Sequence, residues 1–156
     1  MSSDRMTDAD FMREALLEAE AAAAEGEQPV GCVIAKDGRI VARAHNRCEA
    51  LGDATAQGEL LAIREASRAV GDWRLNRCAL YVTLEPCPMC AGAIVQARVG
   101  RLVYGAPNPA QGCAGSLYRL TEDPAFPHYC PADGGVERAA CEAELSAFFK
   151  RIRKDD

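Results

Sequence analysis

Two stretches carry residues that could work on one metal ion. "TLEPCPMCAGAI", Thr83 to Ile94, holds Cys87 and Cys90 at Cys-x-x-Cys spacing. At a helix start, that spacing puts two sulfurs on one turn facing a common point. The free N–H groups and the dipole at that end favour thiolates. "DATAQGELLAI", Asp53 to Ile63, holds Glu59 near the start of what reads as a second helix. Two thiolates and a nearby carboxylate make up most of a catalytic zinc site, with the carboxylate able to take a proton from an activated water. A third protein ligand is normally needed. Two residues before Glu59, where a histidine is expected, stands Gln57.

Each residue also has a plainer explanation. Cys87 and Cys90 suit a thiol redox pair, which would use them and nothing else. A structural zinc site would require two more Cys or His ligands at short spacing, and the sequence supplies none. A lone glutamate near a helix start is ordinarily a surface charge that complements the dipole. Glu59 gains meaning only from its company. Hydrolytic removal of an amino group from a base ring needs a metal-activated water, a proton shuttle and a pocket for the ring.

The elements that would position these groups can be read from periodicity. "DADFMREALLEAEAAAA", from Asp8, places Phe11, Met12, Ala15, Leu16 and Ala19 at helical spacing. Val30 to Ala35 and Arg39 to His45 flank Lys36-Asp37-Gly38, a hairpin signal. "CEALGDA", Cys48 to Ala54, reads as a loop, after which Thr55 or Asp53 can cap a helix running to about Val70. Cys78 to Leu84 is a buried strand, ended by Pro86, and a helix follows from about Cys87 to Ala97. Arg101 to Ala106 is another strand. A short helix near Leu117, a weak strand near Tyr129 and a last helix from about Glu137 to Arg153 complete the chain. Alternation of strands and helices in the middle implies an α/β sandwich with parallel pairing there.

Composition sets the outer limits. The 156 residues suffice for one domain with a core, taken as residues 1–156. No apolar run approaches membrane-span length, and the polar start "MSSDRMTDADF" is neither a signal nor a transit peptide, so the cytoplasm is the default location. A net charge of −5 argues against broad electrostatic binding of nucleic acid, with "KRIRK", Lys150 to Lys154, as the one local basic stretch. Beyond Cys87 and Cys90, the other cysteines are scattered and read as reduced, buried thiols rather than a disulfide framework.

Over nearly its whole length the chain resembles the bacterial tRNA-specific adenosine deaminases of the cytidine-deaminase-like superfamily. "EGEQPVGCVIAKDGRIVARAHNR", "DATAQGELLAIREA", "LYVTLEPCPMCAGAI", "RLVYGAPNPAQGCAGSL" and "CEAELSAFFKRIR" carry the likeness. The signature of such zinc deaminases is His-x-Glu followed by Pro-Cys-x-x-Cys. The resemblance implies a three-layer α/β sandwich with a mixed five-stranded sheet flanked by helices. It implies Zn2+, one per chain, on Cys87 and Cys90, with Glu59 as proton shuttle. It implies hydrolytic deamination of adenosine to inosine at the wobble position of a tRNA anticodon stem-loop. Asn46, Leu84, Glu85 and Asn108 correspond to residues lining the nucleoside site, with Leu84 and Glu85 contributing backbone. Phe148 and Phe149 correspond to a C-terminal segment near bound RNA, where an exposed aromatic can stack on a splayed base. A homodimer that builds part of each tRNA site is expected, and no membrane.

Three departures stand out. The family pattern His-Ala-Glu is here Gln57-Gly58-Glu59. An amide oxygen is a harder and weaker donor for zinc than an imidazole nitrogen. A glycine also weakens a helix interior by about 1 kcal/mol relative to alanine. Neither histidine is placed to substitute: His45 should point to the opposite face from Asn46, and His128 lies in the "FPHYC" loop. Cys32 and Cys48 have no positional support. Asn108 replaces a common aspartate in a loop contacting the target ribose, and "CEALGDA" lacks basic residues for phosphate. The alternatives are therefore a deaminase fold with impaired or lost catalysis, or a deaminase of free bases or nucleosides.

Overall fold

The computed structural model describes residues 5–155, with side chains through Arg153. Residues 1–4 of the polar N-terminal stretch and the side chain of Lys154 in the basic tail lie outside the described residues. Helix α1 (Asp8–Ala24) starts in a capping box: Thr7 accepts from the Asp10 N–H, and Asp10 accepts from the Thr7 N–H at 2.8 Å. Strands β1 (Gly31–Lys36) and β2 (Arg39–His45) form the expected hairpin. Its turn has Asp37 at φ 53° and Gly38 at φ 76°, the doubly left-handed geometry for which Asp-Gly is selected.

After β2 come a short helix α2 (Cys48–Leu51), helix α3 (Gly58–Val70), strand β3 (Cys78–Leu84), helix α4 (Pro88–Gln96) and strand β4 (Arg101–Ala106). A 3-10 turn (Leu120–Glu122), strand β5 (Ala132–Gly134) and helix α5 (Arg138–Asp155) follow. The sheet order is β2-β1-β3-β4-β5, antiparallel across β2, β1 and β3 and parallel across β3, β4 and β5. The mixed five-stranded sheet flanked by helices is the expected architecture.

Alternation along each strand divides the core. Cys32, Ile34, Leu80, Val82 and Leu102 face Ala62 and Ala66 of α3 and Ile94 of α4. Val33, Ala35, Tyr81, Val103 and Ala106 face Phe11, Met12 and Ala15 of α1 and Cys141 of α5. Phe11 and Tyr81 stack at 4.9 Å between ring centroids. Strands β3 and β4, buried on both faces, read as continuous apolar runs for that reason.

Several local expectations are corrected. The residue capping α3 is Gln57, not Thr55 or Asp53. Those two satisfy one another instead, with the Thr55 N–H and hydroxyl both donating to Asp53 Oδ1. "CEALGDA" is not all loop, since it contains α2. The turn near Leu117 falls at Leu120–Glu122, and the weak strand near Tyr129 falls at Ala132–Gly134. Gly58 is the first residue of α3, where the interior helix penalty does not apply, and a Cβ there would press on His45 Cα at 3.3 Å.

His45 does point away from Asn46. Its Nδ1 lies 2.9 Å from Glu18 Oε1 and its Nε2 2.7 Å from Glu25 Oε2. Burial opposes its charge, but the two carboxylates win and raise its pKa above 6.5. A raised pKa means the folded state binds the proton more tightly, so this stabilisation is complete at low pH and is lost as pH rises through the folded value. In urea unfolding across a pH series, the stability gap between the wild type and His45→Gln is therefore expected to be widest below 6.5 and to shrink above the raised value. A gap independent of pH would contradict the ion-pair account.

Candidate active site

Strand ends converge at one edge of the sheet. Because β1 runs antiparallel to β3, its entry at Val30 lies beside the exits of β2, β3 and β4. The residues just beyond those exits are Asn46, Glu85 and Pro107. A pocket of about 370 Å³ opens there. It is lined by Asn46, Gln57, Glu59, Leu84, Glu85, Cys87 and Asn108, among others, with Leu145 and Phe149 of α5 on one wall. Crevices at the carboxyl ends of parallel strands are where open α/β sheets bind ligands.

The start of α3 is held from outside. Gln57, the capping residue, makes no capping bond of its own. The Gly58 N–H instead donates to Asn46 Oδ1 at 2.7 Å, in a buried bond across the strand end. The Asn46 N–H donates in turn to the Val30 carbonyl at 3.2 Å. This frees the Gln57 side chain to reach the cysteines. Its Oε1 lies 3.3 Å from Cys87 Sγ and 3.1 Å from Cys90 Sγ, within hydrogen-bond reach of both thiols.

Cys87 caps α4 and Pro88 opens it, so the Cys-x-x-Cys pair does sit on a helix start. The neighbouring Cys90 thiol lowers the Cys87 pKa to about 6 against the effect of burial, with help from the backbone N–H groups of Cys90 and Met89. The same contact and burial push the Cys90 thiol up. Glu59, in the first turn of α3, is buried. Burial raises its pKa to about 7, the charge at Cys87 adds to this, and its own backbone N–H and the Cys90 thiol oppose it.

The donor set can be tested against zinc. Among the described residues, no three His, Cys, Asp or Glu side chains form a group that could hold a metal ion. With the glutamine amide included, Cys87, Cys90 and Gln57 converge. A tetrahedral zinc with ~2.3 Å bonds to sulfur and ~2.1 Å to oxygen separates its ligand atoms by roughly 3.6 Å. The observed 3.1 and 3.3 Å need only small outward shifts. The residues fit zinc, with the third donor weaker than an imidazole.

The other wall rests on Glu85. Its backbone was expected to line the site, and the residue does line it, but its side chain does something the sequence reading missed. The carboxylate is buried and accepts from the N–H groups of Asn108 (3.0 Å), Ala114 (3.0 Å) and Ser116 (2.9 Å), and from the Ser116 hydroxyl. Burial raises its pKa, but these donors outweigh it and leave the carboxyl below its ordinary value. Asn108 lines the pocket while its own Oδ1 accepts from the Gln111 N–H at 3.2 Å. The sequence signal, had it been used, was the glycine at 112: a Cβ there would overlap the Glu85 carboxyl and the Asn108 carbonyl oxygen.

The two phenylalanines separate. Phe149 lines the pocket and is exposed. Phe148 is corrected from a substrate-facing residue to a buried one, because adjacent helical positions point about 100° apart and only one can face the opening. Gln28, Gln111 and Leu145 also line the pocket and were not anticipated. His128 lies elsewhere, with Nε2 2.7 Å from the Val99 carbonyl.

A metal-capable pair of thiols, a buried carboxylate with a raised pKa and a ring-sized pocket define a hydrolytic deaminase of the zinc-dependent kind. A family model described as the cytidine and deoxycytidylate deaminase zinc-binding region matches residues 5–106. The chain is 47% identical over 144 residues to a tRNA-specific adenosine deaminase of Bacillus subtilis, covering 92% of this chain and 89% of that one. It is 58% identical over 116 residues to the chloroplastic tRNA(adenine(34)) deaminase of Arabidopsis thaliana, covering 74% of this chain and 9% of that one. A solved structure from work on A-to-I editing by tRNA:A34 deaminases superposes with a TM-score of 0.83 at 43% identity, covering 86% of this chain and 98% of that one. The chain belongs to the cytidine and deoxycytidylate deaminase family, and within it to the tRNA-specific adenosine deaminases.

Two outcomes follow from this geometry. Gly112→Ala is expected to cost about 1–3 kcal/mol, the usual range for overpacking a filled site, read by urea unfolding; no loss would show that the 107–116 loop yields freely. Gln57→His is expected to bind zinc at least about tenfold more tightly, the smaller end of the effect of altering even the outer partners of a metal site. Competition against a chromophoric chelator measures it, and equal affinities would show that the amide is a full ligand.

Proposed function

We propose that this protein deaminates adenosine to inosine at the wobble position of a tRNA anticodon, as its relatives' names describe for them. The observation that carries this reading is the buried Glu59, with a pKa raised to about 7, opening into the same pocket as Gln57, Cys87 and Asn46. Cys87, Cys90 and Gln57 are the residues that would hold zinc, and bound zinc supplies a water of lowered pKa and an electrophilic centre.

The protein's own groups account for the rest. A carboxylate poised near neutrality can both accept and return a proton. Glu59 takes the proton of the water that adds to C6 of the base; the C–O bond forms as the C6–N1 double bond opens and its electron pair moves to N1, to return when the amino group leaves. The same carboxyl then protonates the 6-amino nitrogen, the C–N bond breaks and ammonia leaves, so Glu59 ends as it began. Asn46, tied through Oδ1 to Gly58, presents its remaining amide group toward the nucleoside. Leu84, Leu145 and Phe149 supply apolar surface for the ring, with Phe149 available to stack on a base turned out of the loop. Asn108, held by Glu85 and Gln111, faces the ribose side. Burial of Glu59 keeps bulk water from short-circuiting the transfer.

The reading includes a homodimer and a cytoplasmic site of action. Support for a second copy is the run of exposed apolar side chains at Leu117, Tyr118, Phe126 and Tyr129. Among the described residues, no helix is long and apolar enough to cross a membrane. One competing reading has a specific basis: Gln57 Oε1 already engages both thiols, which favours a site that holds zinc poorly and turns over slowly.

Inosine formed in an anticodon stem-loop decides between them. Glu59→Gln is expected to lose about 10²–10⁴ in rate, the span associated with a positioned acid–base group, while unfolding at the wild-type temperature. A higher rate in Gln57→His than in wild type is the outcome of a site that holds zinc poorly, and full zinc with equal rates in both would reject that competing reading. No inosine from either wild type or Gln57→His would reject the tRNA reading.

A further inference from the structure

Among the described residues three acids are buried: Glu27, Glu59 and Glu85. Glu59 carries the proposed chemistry and Glu85 holds the loop at Asn108. Glu27 has no assigned role, although a carboxylate is removed from water only where donors compensate it. Its donors are specific. Oε1 accepts from the Glu49 N–H at 3.0 Å and Oε2 from the Ala50 N–H at 2.7 Å. These are two of the free amides at the start of α2, whose own capping residue, Arg47, makes no capping bond. Glu27 thus caps α2 from a segment 22 residues earlier in the chain.

The helix it caps is the middle of a closed loop. The Arg47 N–H donates to the Ala56 carbonyl at 2.9 Å, and the Asp53 N–H to the Cys48 carbonyl at 3.0 Å. One end of the loop is Asn46 and the other is Gln57, beside Gly58. On the other side of Glu27, Gln28 lines the pocket mouth and Val30 accepts the Asn46 N–H. The same carboxylate therefore braces both strands of chain that flank the opening.

We infer that Glu27 is a positioning residue: by capping α2 it fixes the 46–58 loop, and through it sets the placement of Asn46 against the nucleoside and of Gln57 against the cysteines. The inference rests on the proposed roles of Asn46 and Gln57 in deamination. A charged capping bond is stronger than a neutral one, so the carboxylate matters beyond its shape. Glu27→Gln keeps one acceptor oxygen and turns an amide NH2 toward a backbone N–H. Glu27→Ala keeps neither.

The test uses amide hydrogen exchange of the full chain together with steady-state kinetics on an anticodon stem-loop. In Glu27→Ala the amides of Glu49 and Ala50 lose protection. If Glu27 positions the site, the amides of Asn46 and Gly58 lose it as well, while the β3 amides do not. KM for the stem-loop is then expected to rise about tenfold as Asn46 shifts, bound zinc per chain to fall as Gln57 shifts, and kcat per bound zinc to change by less than about threefold, the signature of lost binding rather than lost chemistry. Glu27→Gln should fall between wild type and Glu27→Ala on every readout. Loss confined to Glu49 and Ala50 with Asn46 and Gly58 still protected would overturn the inference, and so would an unchanged KM in active enzyme. Should the wild type form no inosine, the deaminase reading fails separately, and the exchange pattern alone decides the role of Glu27.

Discussion

A carboxylate withdrawn from water must either collect hydrogen-bond donors or surrender its charge, and the active-site edge of this protein is organised around that choice. Glu85 collects three backbone N–H groups and a hydroxyl, and its pKa falls below the ordinary value. Glu59 is equally hidden but has few donors, and its pKa climbs to about 7. The same residue type thus has its pKa lowered in one place and raised in the other. The difference lies in what the surrounding backbone offers. For Glu85 that is a loop folded back over it, with Gly112 leaving the room its carboxyl occupies. For Glu59 it is the packed interior of a helix start whose leading N–H is already taken by Asn46.

The arrangement depends on the sheet. Antiparallel pairing of β1 with β2 and β3, then parallel pairing of β3 with β4, brings one strand entry and three strand exits to a single edge. Each leads into a connection that carries one part of the site, and the one after β4, residues 107–131, is long. Helices α3 and α4 leave this edge, so both start there, and backbone N–H groups at the start of α4 act on Cys87. The lowered pKa of Cys87 owes most to the neighbouring Cys90 thiol, and these backbone N–H groups add to it.

Much of this could be read from the chain. Strands β3 and β4 were legible to the residue because burial on both faces leaves an uninterrupted apolar run. Cys87 and Cys90 were legible from type and spacing, and Glu59 and the odd Gln57 from their company and the deaminase resemblance. The parts that escaped share one cause: their partners are distant in sequence. Helix α2 is too short to announce itself and is capped by Glu27. The start of α3 was misplaced because Asp53 and Thr55 look like caps but bond to each other, while the true support, Asn46, lies on another element. The side-chain role of Glu85 is spread over contacts 23 to 31 residues away. Phe148 and Phe149 differ only in helical phase, which is set by how α5 docks on the sheet.

Gln57 is the point where local and global requirements meet. A glutamine at a capping position could turn back on its own helix, as shorter polar residues do. Here that task belongs to Asn46, so the longer side chain is free to extend to the sulfurs. Its oxygen reaches both thiols and gives each of them an acceptor. The scaffold around it is intact: the buried Glu59, the thiol pair, the Glu85 loop anchor and the apolar wall all meet at one pocket. The glutamine changes the donor offered to a metal while the strand ends and helix starts around it keep their bonds. That separation of affinity from geometry is why a single residue can be so conspicuous in the sequence and so quietly accommodated by the fold.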